Sequence, residues 1–268
     1  MRVARTVAEV RSALAEAHRG ERRIGLVPTM GALHAGHVAL LRAARATSEV
    51  VVMSLFVNPS QFDAADDLAR YPRSEETDLA TADAEGVDLV FAPSVEELYP
   101  DGFDTWVDPG RLGTILEGAA RPGHFRGVAT VCTKLFSVVR PTVAYFGQKD
   151  AQQVAVVRRV VRDLDLDVAI EAVPTVRDPD GLALSSRNRF LSPAEREVAL
   201  VLPRALHAGG DAADAGGDPV AAARSLLDAE RGLTVDYVAV AEFDVPTLVA
   251  AVRVGSTRVI DNVRLASR

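Results

Sequence analysis

Hydrophobic residues follow two alternating patterns in the chain as far as residue 175. Short, uninterrupted runs rich in valine, isoleucine and leucine, at residues 24–27 and 50–57, are typical of strands that are buried on both faces. Longer stretches with apolar residues at helical spacing, at residues 37–47, 124–139 and 150–164, alternate with these runs and with further predicted strands at residues 87–91, 142–146 and 168–173. Pro28 is expected to stop the first strand, and Thr6 and Glu9 form a capping-box pattern that predicts the start of a helix. This alternation predicts an α/β fold, a Rossmann-like doubly wound parallel sheet, in which ligands bind at the carboxyl ends of the strands.

The pattern changes after residue 175. Ser192-Pro-Ala-Glu195 has the form of a capping box with proline at the first helical position, and predicts a long helix. Residues 209–218 are rich in glycine, alanine and aspartate, which predicts a flexible surface loop, while residues 235–240 and 258–260 predict short strands. We therefore expect two domains, residues 1–175 with the parallel sheet and residues 176–268 as a smaller C-terminal α+β domain.

Composition and charge narrow the class of protein. The 268 residues are 48% hydrophobic, enough for a large core, and their formal net charge is -7. Nucleic-acid binding requires a basic surface, so this charge argues against it. Cys132 is the single cysteine, which excludes an internal disulfide, and its apolar helical neighbours predict a core residue. The N-terminus lacks an apolar signal segment and no uncharged apolar run reaches about 18 residues, so we expect a soluble, cytoplasmic protein without membrane contact.

The strongest candidate for chemistry is the segment Pro28-Thr-Met30-Gly31-Ala-Leu-His34-Ala-Gly36-His37, between a predicted strand and a predicted helix. A helix N-terminus presents unpaired N–H groups and a partial positive charge, which favour phosphate. The two imidazoles can converge there, and Gly36 lets the backbone approach closely. The alternative is a pair of solvated loop histidines. We favour a phosphate site in which the imidazoles stabilise the charge of departing pyrophosphate, since metal binding by the pair lacks an obvious third ligand.

Two further polar clusters can complete such a site. Phe146-Gly147-Gln148-Lys149-Asp150 follows another predicted strand, where Lys149 can neutralise phosphate charge and Asp150 can cap a helix or accept from a ribose hydroxyl. Leu184-Ser185-Ser186-Arg187-Asn188 combines two hydroxyls with a guanidinium, and beside an interdomain cleft it can close over a triphosphate. Each cluster alone is also compatible with an ordinary surface turn.

Polar residues on other loops are candidates for binding a substrate other than the phosphate compound. Gln61 follows the strand at residues 50–57, and Gln153 lies one turn into the helix after the lysine cluster. Neutral amides of this kind can hold a carboxylate and hydroxyl groups. Arg121 lies in a Gly/Pro-rich loop that is equally compatible with a lid and with a simple turn. The charged loop at residues 66–73 is expected to be a solvated surface, with a metal role for its aspartates as the alternative.

With these segments together, the sequence resembles the pantoate–β-alanine ligase (pantothenate synthetase) family of the HxGH nucleotidyltransferase superfamily. The resemblance covers residues 22–264, and the segments occur in the family's order. Leu184 stands where methionine is common and Ala151 where tyrosine is common, but neither change removes a group that the chemistry needs. The matching runs are residues 28–37, 56–62, 71–73, 121–128, 146–150, 184–191 and 260–262.

The resemblance implies an ATP-dependent reaction in two steps. ATP and (R)-pantoate would give pantoyl adenylate and pyrophosphate in the presence of Mg²⁺, and β-alanine would then displace AMP to form pantothenate. It further implies that residues 1–175 bind ATP and pantoate, that residues 176–268 form a lid, and that two chains form a homodimer. The ligands of the metal stay unassigned.

The resemblance also implies roles for individual residues. His37, His34 and Lys149 would be catalytic, and Gln61 and Gln153 would bind pantoate and β-alanine. Arg121 would lie near the phosphate end. The ATP-binding residues would be Met30, His34, Gly36, His37, Gly147, Gln148, Lys149, Asp150, Val176, Leu184, Ser185, Ser186 and Arg187.

Two other functions compete for the same motifs. A nucleotidyltransferase of the same superfamily would act on a phosphate acceptor. Binding that acceptor should need cationic groups around it, whereas the candidate residues there are two neutral glutamines. A non-catalytic nucleotide-binding or RNA-binding module related to class I synthetases is disfavoured by the negative net charge, and by serines where lysines would sit in that class.

Overall fold

The computed structural model describes residues 1–62, 68, 69 and 71–266. The chain divides into two compact units. The first unit comprises residues 1–147 and 152–173, and the second comprises residues 148–151 and 174–268.

The first unit alternates strands and helices. Its strands are β1 Arg2–Ala4, β2 Ile24–Thr29, β3 Val50–Leu55, β4 Leu89–Phe91, β5 Val143–Gly147 and β6 Ala169–Val173. The α-helices between and around them are α1 Val7–Arg19, α2 Ala35–Thr47, α3 Glu75–Ala84, α4 Val95–Leu98, α5 Glu117–Ala120, α6 His124–Val139 and α7 Ala151–Asp163, with 3₁₀ turns at Pro59–Gln61 and Gly110–Gly113.

The strands of the first unit form one parallel sheet in the order β1-β4-β3-β2-β5-β6. β2 pairs along its whole length with β3 on one side, and through Gly25 and Leu26 with β5 on the other. The chain leaves β2 toward β3 and returns on the opposite side at β5, so the loops after β2 and β5 flank the point where the strand order reverses. The predicted Rossmann-like parallel sheet is confirmed.

Both faces of this sheet are covered, because alternate residues of its central strands enter different cores. Ile24 and Leu26 of β2 belong to a cluster with α1, α6 and α7, whereas Val27 belongs to a second cluster with α2 and α3. Burial of each such side chain contributes about 1.5–3 kcal/mol to stability. The doubly wound arrangement therefore follows from uninterrupted apolar runs, in which neither face of the strand is polar.

One predicted strand end is wrong. Pro28 was expected to stop β2, but the strand continues through Pro28 to Thr29, paired with Ser54 and Leu55 of β3. The pairing of β2 with β5 is confined to Gly25 and Leu26. Proline is tolerated here because the strand has a neighbour on one side only at this point, which is the environment of an edge strand.

The second unit contains a three-stranded antiparallel sheet in the order β7-β8-β9. Its core joins alternate residues of β8, Leu248, Ala250 and Val252, to the helices of the same unit. β8 is an addition to the predicted strands, since its central alanines have weak strand propensity. The elements are 3₁₀ turns Gln148–Asp150 and Ser186–Phe190, α8 Pro193–Ala199, α9 Val201–Asp214, α10 Pro219–Ala229, β7 Leu233–Glu242, β8 Pro246–Val254 and β9 Thr257–Arg264.

The flexible loop predicted at residues 209–218 is wrong, because α9 continues through Gly209 to Asp214. A Cβ atom at Gly209 would lie 2.4 Å from Leu248 Cδ2 and 2.7 Å from the Pro219 carbonyl oxygen. Glycine is therefore present for close packing inside a helix, and its conformational freedom is not used. Composition alone does not distinguish these two uses of glycine.

Two predicted helix caps are confirmed, but the predicted length of one helix is wrong. Thr6 and Ser192 both form the expected capping boxes, each accepting from the backbone N–H three residues later. The long helix predicted from Ser192 ends at Ala199, however, and a second helix begins at Val201. A cap is made by neighbouring residues, which is why the local sequence predicts it.

Burial of Cys132 confirms the predicted core position of the single cysteine. Its residue is 3% exposed on α6, and burial raises the pKa of the thiol to about 12. The thiol therefore stays protonated at neutral pH and does not act as a nucleophile.

Helices that could cross a membrane, with sufficient length and apolar character, were not found in residues 1–62, 68, 69 and 71–266.

The packing at Gly209 predicts the effect of one methyl group. Gly209→Ala should lower the free energy of unfolding by about 1–3 kcal/mol, because the Pro219 backbone cannot move aside as a side chain can. Gly210→Ala is the matched control, since a Cβ atom there would meet only Val263 Cγ1, at 3.2 Å. Urea denaturation measures both variants. A Gly209→Ala protein as stable as the Gly210→Ala protein would contradict this packing.

Candidate functional site

The loop between β2 and α2 begins with a tight turn. Gly31 and Ala32 have φ angles of 86° and 52°, both in the left-handed region. A Cβ atom at Gly31 would lie 2.9 Å from Asp78 Oδ2 and 3.0 Å from Leu55 Cδ1, so this position requires glycine for conformation and for space. The left-handed conformation of Ala32 costs about 1–3 kcal/mol, which other contacts must offset.

Asp78 of α3 supplies these contacts. Its residue is 2% exposed, and its two carboxylate oxygens accept from the backbone N–H groups of Ala32 at 2.9 Å and Leu33 at 2.8 Å. Ser74 Oγ also donates to this carboxylate, at 3.2 Å. Hydrogen bonds to a carboxylate are among the stronger ones, so Asp78 fixes the backbone that leads to His34. Sequence reasoning missed Asp78, because the residue lies on a different helix.

The two histidines form the N-terminal cap of α2. This helix begins at Ala35, two residues before the predicted start, and His34 is its N-cap residue. The Nδ1 atom of His34 accepts from the Gly36 backbone N–H at 3.1 Å. The Nδ1 atom of His37 accepts from the His34 backbone N–H at 3.3 Å, which completes a reciprocal capping box made of imidazoles.

These two hydrogen bonds determine where each imidazole carries its hydrogen. A backbone N–H can only donate, so the Nδ1 atom of His34 and that of His37 must both be unprotonated acceptors. The remaining ring nitrogen, Nε2, then carries the hydrogen of the neutral ring. Doubly protonated rings could not accept at Nδ1. The geometry therefore prepares two neutral imidazoles that donate from Nε2.

Gly36 is required by this arrangement for a reason internal to the loop. The rings of His34 and His37 are tilted by 47° with centroids 4.2 Å apart. A Cβ atom at Gly36 would lie 2.9 Å from His34 Cε1 and 3.0 Å from His34 Nδ1. Any side chain at this position would displace the His34 ring from the helix start.

Gln61 is held beside Met30 in the same unit. Its residue is 8% exposed, and its Oε1 atom accepts from Asn58 Nδ2 at 3.0 Å. The Gln61 Nε2 atom lies 3.1 Å from Met30 Sδ, which brings together residues after β2 and β3. Asn58, 1% exposed, also accepts at Oδ1 from Tyr99 OH at 2.9 Å. Burial raises the pKa of the Tyr99 phenol, so it remains a donor to Asn58.

Arg121 and His124 fix the backbone of Gln61 from the start of α6. The Gln61 carbonyl oxygen accepts from Arg121 Nη2 at 3.2 Å and from His124 Nδ1 at 2.8 Å. Helix α6 lies close to the backbone of Ser60 because Gly127 has no side chain. A Cβ atom at Gly127 would lie 2.3 Å from the Ser60 carbonyl oxygen. Gln61 therefore has both its amide and its main chain held, although sequence reasoning identified neither Asn58 nor His124 as a support.

Gly147 and Gln153 also belong to the first unit. Gly147 ends β5, and a Cβ atom there would meet nothing within 4 Å, so the space above this strand end is open. Gln153 is half-buried on α7. The preceding Gln152 is structural, since its side chain bonds to the backbone of Leu112, Ile115 and Glu117.

In the second unit, the turn Gln148–Asp150 carries Lys149. The Lys149 side chain is 18% exposed, and its Nζ atom lies 3.5 Å from Asp150 Oδ1. The Asp150 carboxylate is 46% exposed, so this ion pair is weak and screened by solvent. Lys149 thus keeps its charge available for an anionic ligand.

A short hairpin in the same unit leads to Ser185, Ser186 and Arg187, which we call the serine–arginine segment. Its two arms are joined by the Leu184 backbone N–H donating to the Val176 carbonyl oxygen at 3.0 Å. Ser185 then caps the 3₁₀ turn Ser186–Phe190 by accepting at Oγ from the Arg187 backbone N–H at 3.3 Å. This turn places Ser185, Ser186 and Arg187 on consecutive, half-buried positions.

The predicted site residues therefore form two groups, one in each unit. The first unit brings Met30 and Arg121 into contact with Gln61, and His34 into contact with Gly36 and His37, and it also contains Gly147 and Gln153. The second unit contains Gln148, Lys149, Asp150, Val176, Leu184, Ser185, Ser186 and Arg187.

A metal site built from side chains alone is not found in the part of the chain that the structure describes, where no three residues among His, Cys, Asp and Glu cluster suitably. Asp66, Asp67 and Arg70 of the charged loop, for which a metal role was the alternative, lie outside the described residues.

Comparison with known proteins identifies relatives over the whole chain. The family model described as pantoate-beta-alanine ligase matches residues 2–264. Pantothenate synthetase from Roseiflexus sp. (strain RS-1) is 54% identical, covering 98% of each chain, and that of Corynebacterium efficiens is 52% identical, covering 100% of each. The crystal structure of pantothenate synthetase from Thermus thermophilus has a TM-score of 0.91 at 47% identity over 100% of both chains. A pantoate-beta-alanine ligase from Francisella tularensis, complexed with beta-gamma ATP and beta-alanine, has a TM-score of 0.84 at 33% identity, covering 98% of this chain and 97% of that one.

The buried carboxylate behind the histidine loop yields a prediction. Asp78→Asn should lower the free energy of unfolding by about 1–3 kcal/mol. Each carboxylate oxygen of Asp78 accepts from a backbone N–H, and the asparagine side chain would place a donor nitrogen opposite one of these N–H groups. Asp83→Asn on the same helix is the control, since the Asp83 side chain is 66% exposed. Chemical denaturation compares the two variants. Equal stability of both proteins would contradict the role of Asp78.

Proposed function

The chain belongs to the pantoate–β-alanine ligase family, and on that premise we propose which of its residues carry the reaction. The reaction is the ATP-dependent condensation of (R)-pantoate with β-alanine. A pantoate carboxylate oxygen attacks the α-phosphorus of ATP, which forms pantoyl adenylate and releases pyrophosphate. The β-alanine amine then attacks the acyl carbon, AMP leaves, and pantothenate is formed.

The histidine pair is proposed to bind the phosphates as neutral donors. His34 and His37 each carry hydrogen on Nε2, which can donate to the oxygens that gain charge as pyrophosphate leaves. The N-terminus of α2 adds its partial positive charge to the same position. His37 in this state donates a hydrogen bond and not a proton, because a neutral imidazole is a very weak acid.

Most of the cationic part of the ATP site is assigned to the second unit, and Arg121 of the first unit adds to it. Lys149 and Arg187 supply full positive charges, which the neutral imidazoles do not, and Arg187 can bind phosphate oxygens through two N–H groups at once. Ser185 and Ser186 add hydroxyl donors beside this guanidinium. Arg121 is assigned to the phosphate end as well. The remaining ATP-binding residues proposed are Met30, Gly36, Gly147, Gln148, Asp150, Val176 and Leu184.

Gln61 and Gln153 are proposed to bind pantoate and β-alanine. Support comes from the way Gln61 is held, since its Oε1 atom accepts from Asn58 and its Nε2 atom approaches Met30. An amide whose rotamer is fixed before the ligand arrives loses little entropy on binding. Met30 offers an adaptable apolar surface beside it for the methyl groups of pantoate.

The domain roles and the cellular setting complete the proposal. Residues 1–175 bind ATP and pantoate, residues 176–268 act as a lid, and two chains form a homodimer in the cytoplasm. ATP enters as its Mg²⁺ complex. Such an ion commonly keeps several waters and binds through substrate phosphates with one or two carboxylates, so a dedicated protein cage is not required.

The observation that carries this proposal is the imidazole cap at the carboxyl end of β2. It is tested by exchange of labelled pyrophosphate into ATP with pantoate and without β-alanine. We expect pantoate-dependent exchange, and a decrease of roughly 10²–10³-fold with His37→Ala, the range for loss of one preorganised donor.

His207→Ala is the matched control for this exchange. His207 is an exposed histidine of α9, and its Nδ1 atom bonds to the Pro203 carbonyl oxygen in the same helix. The control should exchange at the rate of the unchanged enzyme. Absence of exchange with pantoate, or equal exchange by the His37→Ala protein, would show that the proposed residue roles are wrong.

A further inference from the structure

The run Ile260-Asp261-Asn262 is one of the segments that match the family, but it has no role in the site described above. Asn262 lies near the end of β9 and is 6% exposed. Its carboxamide nitrogen donates to the Gln148 carbonyl oxygen at 3.0 Å and to the Lys149 carbonyl oxygen at 2.9 Å. The Gln148 Nε2 atom donates in return to Asn262 Oδ1 at 3.4 Å. One buried side chain thus holds the two carbonyl groups on either side of the Lys149 Cα atom.

Asp261 holds the backbone of Asn262 and a second segment of the same unit. Its Oδ1 atom accepts from the Asn262 backbone N–H at 2.8 Å. Both carboxylate oxygens accept from the Arg177 guanidinium, at 2.6 and 3.0 Å, and the Asp261 side chain is 1% exposed. A bidentate pair of this kind fixes orientation as well as distance.

Arg177 belongs to the hairpin that leads to the serine–arginine segment. It bridges to Ala183 on the opposite arm, and its Nη1 atom also donates to the Gly181 carbonyl oxygen at 3.1 Å. The end of β9 is therefore bonded to the turn that carries Lys149 and to the hairpin that precedes Ser185. Both segments are irregular, so few repeating backbone hydrogen bonds would otherwise fix them.

We propose that Asn262 is a positioning residue for the ATP half of the reaction, acting through Lys149. This rests on the proposed function of Lys149 as a phosphate ligand. The carboxamide is suited to the task because its nitrogen donates twice to carbonyl oxygens, which neither a carboxylate nor an alkyl side chain can do. Loss of these two bonds frees the turn, and a displacement of about 1 Å at a charged group can cost on the order of 10²-fold in rate.

The test is a double-mutant cycle with Lys149→Ala and Asn262→Ala, read by pantoate-dependent pyrophosphate exchange and by steady-state kinetics. Asn262→Ala should lower kcat/KM for ATP by roughly 10- to 100-fold. The KM for pantoate should change by less than about twofold, since Gln61 and Gln153 belong to the first unit. In the Lys149→Ala background the second substitution should cost less than about twofold more, because the two residues act as one.

Two controls separate positioning from general stability. Val259→Ala, at a 5% exposed core position of the same strand, should lower the melting temperature without changing the ratio of the two KM values. Asn262→Asp keeps the size of the side chain and replaces the donor nitrogen by an acceptor, so we expect the same ATP-specific loss. This variant takes the place of Asn262→Ala if the alanine variant does not fold.

The outcomes distinguish this inference from the function on which it rests. If Lys149→Ala exchanges at the unchanged rate, the phosphate role of Lys149 and the role of Asn262 both fail. If Lys149→Ala loses exchange but Asn262→Ala does not, only the positioning role fails. Equal factors for Asn262→Ala in both backgrounds, or an equal rise of the KM values for pantoate and for ATP, would likewise overturn it.

Discussion

The N-terminus of α2 is capped by imidazoles, and the protonation state of both rings follows from that cap. Each Nδ1 atom accepts from a backbone N–H, at 3.1 Å for His34 and 3.3 Å for His37. The hydrogen bonds that start the helix are therefore the same ones that orient two Nε2–H donors. Because a doubly protonated ring cannot accept at Nδ1, the cap favours neutral imidazoles, and full positive charge must come from elsewhere in the protein.

The surrounding structure holds this cap in place. β2 lies inside the sheet, its apolar residues enter two cores, and the turn after it depends on the absence of a side chain at Gly31. Asp78 then fixes the backbone of Ala32 and Leu33 just before the cap. The division of roles follows the chemistry of the groups. In the proposed site the first unit supplies neutral donors, amides and the guanidinium of Arg121, while the second supplies the cations Lys149 and Arg187, on segments bonded to the end of β9.

Sequence reasoning succeeded where structure is determined locally. The capping boxes at Thr6 and Ser192, the buried strands and the polar segments after them are set by neighbouring residues and by period. It failed at Gly209, where a helical glycine is explained by Leu248 and Pro219, and it gave no role to Asp78 or Asn262, whose partners are distant in sequence. A buried polar side chain takes its meaning from the backbone groups that it satisfies, and folding alone brings those groups together. The individual roles of the site residues stay predictions.

The central claim concerns hydrogen atoms, and nitrogen NMR of the enzyme labelled with ¹⁵N-histidine observes them directly. Spectra of the unchanged protein at neutral pH are assigned by comparison with His34→Ala and His37→Ala. We predict that both rings are neutral, with hydrogen on Nε2 and an unprotonated, hydrogen-bonded Nδ1. Hydrogen on Nδ1 of either ring, or a doubly protonated ring, would contradict the imidazole cap and the role of these histidines as neutral donors.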